Sequence, residues 1–188
     1  MLGAIDTLEQ KIPNLALIDA QGSRQASAVI DILRKRGGAS PLGDVVVVHI
    51  GNNGPLTNEQ FDEMMGGLAD VRKALIVNLS VPPSVKDPVA VPNNAALADR
   101  GRRHPNAMLV DWRAASANHP EFFAEDSIHL TLEGAQAYAE LIAANFAEED
   151  AEGSVALPGP QERISWGEGG SFGECVGPSS WCSIPVTP

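Results

Sequence analysis

The sequence predicts an α/β fold, a three-layer α/β/α sandwich built on a parallel sheet. Helix-like and strand-like segments alternate over residues 1–147. The run DVVVVHI (Asp44 to Ile50) holds four consecutive valines with no polar alternation, the pattern of a strand covered on both faces. Polar, Gly- and Pro-containing loops follow each strand, on the edge where open parallel sheets gather their sites.

Leu2 to Lys11 has helical spacing, and Pro13 ends it. LALIDA (Leu15 to Ala20) reads as a short buried strand, and Gln25 to Arg36 as a helix stopped by Gly37 and Gly38. After the valine strand, Thr57 is an N-cap with Gln60 at the capping-box position, for a helix running to about Arg72. ALIVNLS (Ala74 to Ser80) is the next strand. VPPSVKDPVAVP reads as a loop, because proline suits neither helix interior nor ladder. Asn93 to Arg103 is a helix, AMLVDW (Ala107 to Trp112) a strand, and Thr131 to about Glu148 the last helix. At least four parallel strands result. The chain opens on a helix, with no strand to feed it.

From residue 148 the character changes. Residues 148–188 are rich in Gly, Pro and Ser and carry no periodicity, so they read as a disordered tail. Cys175 and Cys182 are the two cysteines of the chain, and both fall there. Their spacing fits neither a zinc knuckle nor a redox motif; a small disulfide loop and two free thiols both stay open.

The 188 residues suffice for one domain with a full core; they are 44% hydrophobic and 20% charged. A net charge of −11 argues against nucleic acid and anionic lipid as partners, since phosphate binding needs a basic surface. No apolar run is long enough to span a bilayer, and MLGAIDTLEQ lacks the basic start of a signal peptide. As written, the chain reads as cytoplasmic. No spacing of His, Cys or carboxylates calls for a metal, and no phosphate-cradling loop calls for a nucleotide cofactor; none is expected.

Three stretches can carry chemistry. EDSIHL places Asp126 three residues before His129, ahead of the last helix. A carboxylate that orients an imidazole is the acid–base end of a serine acyl-transfer site. The plain alternative is that Asp126 or Thr131 caps the helix and His129 is a surface residue. HIGNNG leaves the valine strand: Gly51 and Gly54 permit a tight loop, and Asn53 can present an amide to an oxyanion. The alternative is an ordinary turn. DAQGSRQ (Asp19 to Gln25) joins a strand to a helix, where backbone N–H groups bind anions and Ser23 can serve as N-cap. His49 reads as a buried strand residue, and His104 and His119 as loop residues beside prolines.

Taken in this order, the three stretches resemble the SGNH-hydrolase superfamily, of flavodoxin-like arrangement. The likeness is to the extracytoplasmic catalytic domain joined to membrane acyltransferases that O-acetylate peptidoglycan. It covers roughly residues 1–147. The resemblance implies that Asp126 and His129 are catalytic, His129 as base. It also implies that Asn53, Gly51 and the backbone around Asp19 form the oxyanion hole, with Ser23 where many relatives have Gly. It implies a peptidoglycan-type glycan substrate, an upstream membrane portion and an extracytoplasmic setting.

One block departs. The family carries Gly-Asp-Ser at the end of its first strand, and its serine is the nucleophile. Here the chain starts on a methionine that matches the residue just after that block. The first strand is therefore expected to be truncated and acyl transfer to be lost in the chain as written. Ser23, Ser80 and Ser127 are not expected to replace the missing serine. The rival class is a non-catalytic α/β carbohydrate-binding module.

Overall fold

A computed structural model describes residues 2–81, 88–147 and 180–186. The described chain is a five-stranded sheet between two helical layers. In chain order the elements are a 3-10 turn η1 (Leu2–Ala4), α1 (Ile5–Lys11), β1 (Asp19–Gly22), α2 (Ala26–Ala39), β2 (Val45–Val48), α3 (Asn58–Gly66), β3 (Lys73–Val77), α4 (Ala90–Gly101), β4 (Ala107–Val110), α5 (Trp112–Ser116), a second 3-10 turn η2 (Pro120–Phe122), α6 (Leu132–Ala147) and β5 (Ser180–Val186). The sheet order is β1-β5-β2-β3-β4. β2, β3 and β4 pair in parallel, while β5 runs antiparallel to both β1 and β2. β1 to β4 therefore share one direction, and β5 alone opposes it.

Strand alternation divides the core into two. Val45, Val47, Leu75, Val77 and Val110 turn to one face, against Leu8 of α1, Trp112 of α5, and Tyr138 and Ile142 of α6. Val46, Val48, Ala74 and Ile76 turn to the other, against Leu33 of α2, Phe61 and Met65 of α3 and Leu97 of α4. The unbroken valine run follows from this, since both faces of β2 are buried.

The three-layer parallel arrangement is the expected one. Several boundaries moved, each for a local reason. β1 starts at Asp19, not Leu15: its ladder to β5 begins at the Asp19–Ser183 pair. α2 runs through Gly37 and Gly38 to Ala39, because the Ser40 N–H still bonds back to the Arg36 carbonyl. α3 has the expected capping box on Thr57 and Gln60, but it ends at Gly66 and not near Arg72. α4 starts at Ala90, inside the proline-rich stretch read as loop. Pro92 falls in its first turn, where a helix needs no N–H donor. The short helix α5 begins at Trp112, capped by the Asp111 carboxylate, where a strand had been expected to continue. The tail reading also differs at seven residues: Ser180–Val186 form a strand in the sheet. Residues 148–179 and 187–188, with Cys175, lie outside the described residues. Among the described residues no strand precedes η1.

Candidate active site

The loop between η2 and α6 carries Asp126 and His129. It is closed at its base by an antiparallel bridge between Phe123 and Leu130, by Ala124 N–H to the His129 carbonyl (2.7 Å), and by Thr131 N–H to the Phe122 carbonyl (3.0 Å). Within it the chain turns tightly, with Ser127 at a φ of 59°. Asp126 Oδ1 accepts from the backbone N–H groups of Ile128 and His129, both at 2.9 Å. Its Oδ2 lies 2.5 Å from His129 Nδ1. The three-residue spacing thus does two jobs: the carboxylate folds its own turn and clamps the imidazole. The hydrogen bond from His129, helped by the two backbone donors, lowers the Asp126 pKa to about 2. An ionised Asp126 fixes the proton on Nδ1, so Nε2 is the basic nitrogen. Both side chains are nearly half exposed, at 46% and 45%. Thr131, not Asp126, caps α6, with its hydroxyl accepting from Gly134 N–H at 3.1 Å.

The underside of this loop rests on the carboxyl edge of the sheet. Phe123, Ile128 and Leu130 line a cleft with His49 after β2, Ser80 after β3 and Trp112 after β4. Its free volume of about 10 Å³ is room for one water, so it is a floor and not a substrate pocket. Tyr138 closes it from α6, with its hydroxyl 2.7 Å from His49 Nδ1. Burial holds the His49 pKa well below its usual value, so this histidine is neutral and structural, as its place in the sequence implied.

The loop after β2 is held from an unexpected quarter. Gly51 and Gly54 have φ of 120° and 132°, which favours glycine. A side chain at Gly51 would also meet Asn93 Nδ2 at 3.1 Å and Leu79 Cδ1 at 3.2 Å. Asn93, on α4, donates to the carbonyls of Gly51 (2.7 Å) and Gly54 (3.1 Å) and accepts from Leu56 N–H (2.9 Å). Its neighbour Asn94 exchanges two 2.8 Å hydrogen bonds with the backbone of Leu79, after β3. Sequence reasoning missed this pair. The one available signal was two adjacent amides on a helix otherwise patterned for the core. Asn53 Nδ2 donates to the Arg24 carbonyl at 3.2 Å, tying this loop to the turn after β1 and leaving its second N–H for another acceptor.

Asp19 is the first residue of β1; through their shared partner Ser183 it lies level with Val48, the last residue of β2, at the carboxyl edge of the sheet. Its carboxylate binds Arg24 (2.6 Å) and Arg36 (2.8 Å). Burial would raise its pKa, but the two guanidiniums outweigh that and hold it low. Asp19 is thus an anchor that fixes Arg24, itself buried, under the β1 turn. Ser23, just after β1, has a φ of 56°, the left-handed conformation that favours glycine. Among the described residues, Ser23, Ser80 and Ser127 lie near the edge. Ser23 is exposed. Ser80 is engaged by the Ser116 hydroxyl at 2.6 Å.

The Asp126–His129 loop, the Gly51–Asn53 loop and the β1 turn thus follow parallel elements of one sheet. No protein-family model matches the chain. Comparison with curated proteins finds the O-acetyltransferase OatA of Staphylococcus aureus, 35% identical over 136 residues, which are 71% of this chain and 21% of that protein. The peptidoglycan O-acetyltransferase OatA of Listeria monocytogenes is 30% identical over 142 residues, 76% of this chain and 22% of that one. The chain thus spans about a fifth of the length of these relatives. Among solved structures, the C-terminal catalytic domain of Streptococcus pneumoniae peptidoglycan O-acetyltransferase A superposes with a TM-score of 0.68 at 24% identity, over 79% of this chain and 89% of that one. A carbohydrate esterase of family 3 from Talaromyces cellulolyticus superposes with a TM-score of 0.54 at 18% identity, over 70% of each chain. These two likenesses are of fold. The chain belongs to the SGNH-hydrolase superfamily and resembles the catalytic domain of peptidoglycan O-acetyltransferases.

Proposed function

We propose that this domain holds the acid–base and oxyanion parts of a serine acyl-transfer site for O-acetyl groups of a cell-wall glycan. The observation that carries the reading is the Asp126–His129 pair, with its carboxylate on Nδ1 and its turn locked by the same carboxylate. In that reaction His129 Nε2 takes the proton of a serine hydroxyl as the hydroxyl attacks the acetyl carbonyl. Asp126 stabilises the imidazolium that forms. The tetrahedral oxyanion is met by the second N–H of Asn53 and by backbone N–H groups at the β1 turn around Ser23. Collapse returns the proton to the departing sugar oxygen and leaves an acetyl-serine. Water then completes an esterase cycle, or a sugar hydroxyl a transferase cycle; the same residues serve both.

The nucleophile belongs to a block that the described residues do not contain. Names of the relatives support peptidoglycan as substrate, and their greater length supports a further portion that places the domain on the outer side of the membrane. No described helix is itself long and apolar enough to cross a membrane. The test is hydrolysis of a chromogenic acetyl ester by two proteins: this chain, and a chain extended ahead of Met1 by an apolar strand and Gly-Asp-Ser-Val. Turnover by the extended chain, abolished by His129→Ala, is expected. A folded extended chain with no turnover would refute the acyl-transfer reading and favour a glycan-binding module.

A further inference from the structure

We propose that Arg24 is the positioning residue for the oxyanion side of the site. Its guanidinium closes the β1 turn, and its own carbonyl sets the Asn53 amide. This role rests on the acyl-transfer reading.

The β1 turn needs support of its own. Asp19 is level with the last residue of β2, so Ala20, Gln21 and Gly22 run past that edge. Among the described strands they pair with β5 alone. Ser23 then takes a φ of 56°, a conformation that a serine keeps only where its surroundings hold it. The next residue does the holding. Arg24 folds its side chain back across the turn. Nη1 donates to the Asp19 carbonyl at 3.0 Å, and Nη2 to Asp19 Oδ1 at 2.6 Å and Gln21 Oε1 at 3.2 Å. Asp19 Oδ2 takes Arg36 of α2 at 2.8 Å, so the anchor is itself fixed to a helix. The Arg24 side chain is 5% exposed, which shields these bonds from water. Its Nε is buried with no hydrogen-bond partner among the described residues. The guanidinium is thus placed for the turn and not for its own full satisfaction.

The same residue reaches the second oxyanion element through its backbone. Asn53 Nδ2 donates to the Arg24 carbonyl at 3.2 Å. A side-chain amide is planar, so the direction of that N–H fixes the direction of the other. Asn93 holds the backbone of the loop at Gly51 and Gly54; Arg24 holds the amide that the loop carries. One residue therefore sets both groups of donors, the N–H groups around Ser23 and the free N–H of Asn53. Lysine cannot replace it. An ammonium is a point charge without the planar fork, and it cannot hold the Asp19 carbonyl, the Asp19 carboxylate and Gln21 in one geometry. Arg24 touches no reacting atom and acts through the turn and through Asn53.

The test compares Arg24→Lys with the parent in two measurements. The first is NMR of the Asn53 side-chain amide in this chain. In Arg24→Lys its protons should exchange with water at least ~10-fold faster, while the backbone amides of β2 and β3 stay protected. Should Arg24→Lys not fold, Gln21→Ala, at an exposed position, removes one acceptor of the guanidinium and is read in its place. An Asn53 amide unmoved in a folded variant overturns the proposal. The second is acetyl-ester turnover by the extended chain. Arg24→Lys should lower kcat by about 10–10²-fold, the scale of a small misplacement at the reacting centre, with KM unchanged. Asn53→Ala should lower it by about 10²–10³-fold. Adding Arg24→Lys to Asn53→Ala should cost less than Arg24→Lys costs alone, because the two act through one amide. A rise in KM alone, or full additivity, overturns the proposal. If the extended parent has no turnover, the acyl-transfer reading falls, and the amide signal alone upholds or overturns the hold of Arg24 on Asn53.

Discussion

Gly134 offers a test in which two physical effects predict opposite signs. It lies in the first turn of α6, where alanine would ordinarily gain about 0.5–1 kcal/mol of helix propensity. Here a Cβ would stand 2.0 Å from the Phe122 carbonyl oxygen and 2.8 Å from its carbon. Those are backbone atoms, and the same carbonyl receives Thr131 N–H at the base of the Asp126–His129 loop. The clash cannot be relieved by a rotamer change; α6 and η2 must part by about an ångström. Overpacking of this kind costs about 1–3 kcal/mol, or more. Net of the propensity gain, Gly134→Ala should lose about 1–2 kcal/mol. Its Tm should fall by roughly 2–8 °C for a domain of this size. Thermal unfolding followed by circular dichroism reads the shift. An unchanged or raised Tm would show that α6 does not clamp the Asp126–His129 loop through this glycine.

The other predictions concern the dyad and its supports. The Asp126 carboxyl, followed by carbon NMR, should titrate near pH 2, and in His129→Ala its midpoint should move up toward 3.8. Because the folded value is the lower one, Asp126 stabilises the fold above about pH 4 and ceases to do so as pH falls to 2. A loss of stability in that window that is the same in Asp126→Asn would contradict this. Buried His49 has the opposite chemistry but the same sense: its unfolded form takes up a proton first, so stability falls as pH drops below 6.5. Urea midpoints at pH 7.5 and 5 should differ less in His49→Gln than in the parent. Asn93→Ala removes three hydrogen bonds to the Gly51–Leu56 loop and should cost about 2–4 kcal/mol in urea unfolding. A cost below ~0.5 kcal/mol, typical of exposed positions, would remove Asn93 from its supporting role.

The sequence displayed what depends on local pattern. Four valines without alternation located the central strand, and Thr57 with Gln60 marked the start of α3. Asp126 and His129 were legible because their interaction spans three residues and closes within one turn. What stayed hidden depends on contacts far apart in the chain. Asp19 looked like the end of a strand, but the ladder begins there, and its ion-pair partners Arg24 and Arg36 come later in the chain. Asn93 acts on a loop about forty residues before it. The placement of Pro92 in a helix turned on a single register, since proline fits a first turn and no later one. The strand Ser180–Val186 has no alternation to announce it and exists only as a partner to β1 and β2.

The most direct test of the account asks whether His129 activates the serine of the extended chain. The extended chain is incubated with a small sulfonyl fluoride, and the mass of the adduct is followed in time. One sulfonyl group should be added per molecule, on the serine of Gly-Asp-Ser-Val. His129→Ala should slow the reaction by about 10²–10⁴-fold, the usual contribution of a positioned base. The unextended chain should take up no label on Ser23, Ser80 or Ser127. Labelling at the same rate in His129→Ala, or labelling of the unextended chain at Ser23, would contradict the account.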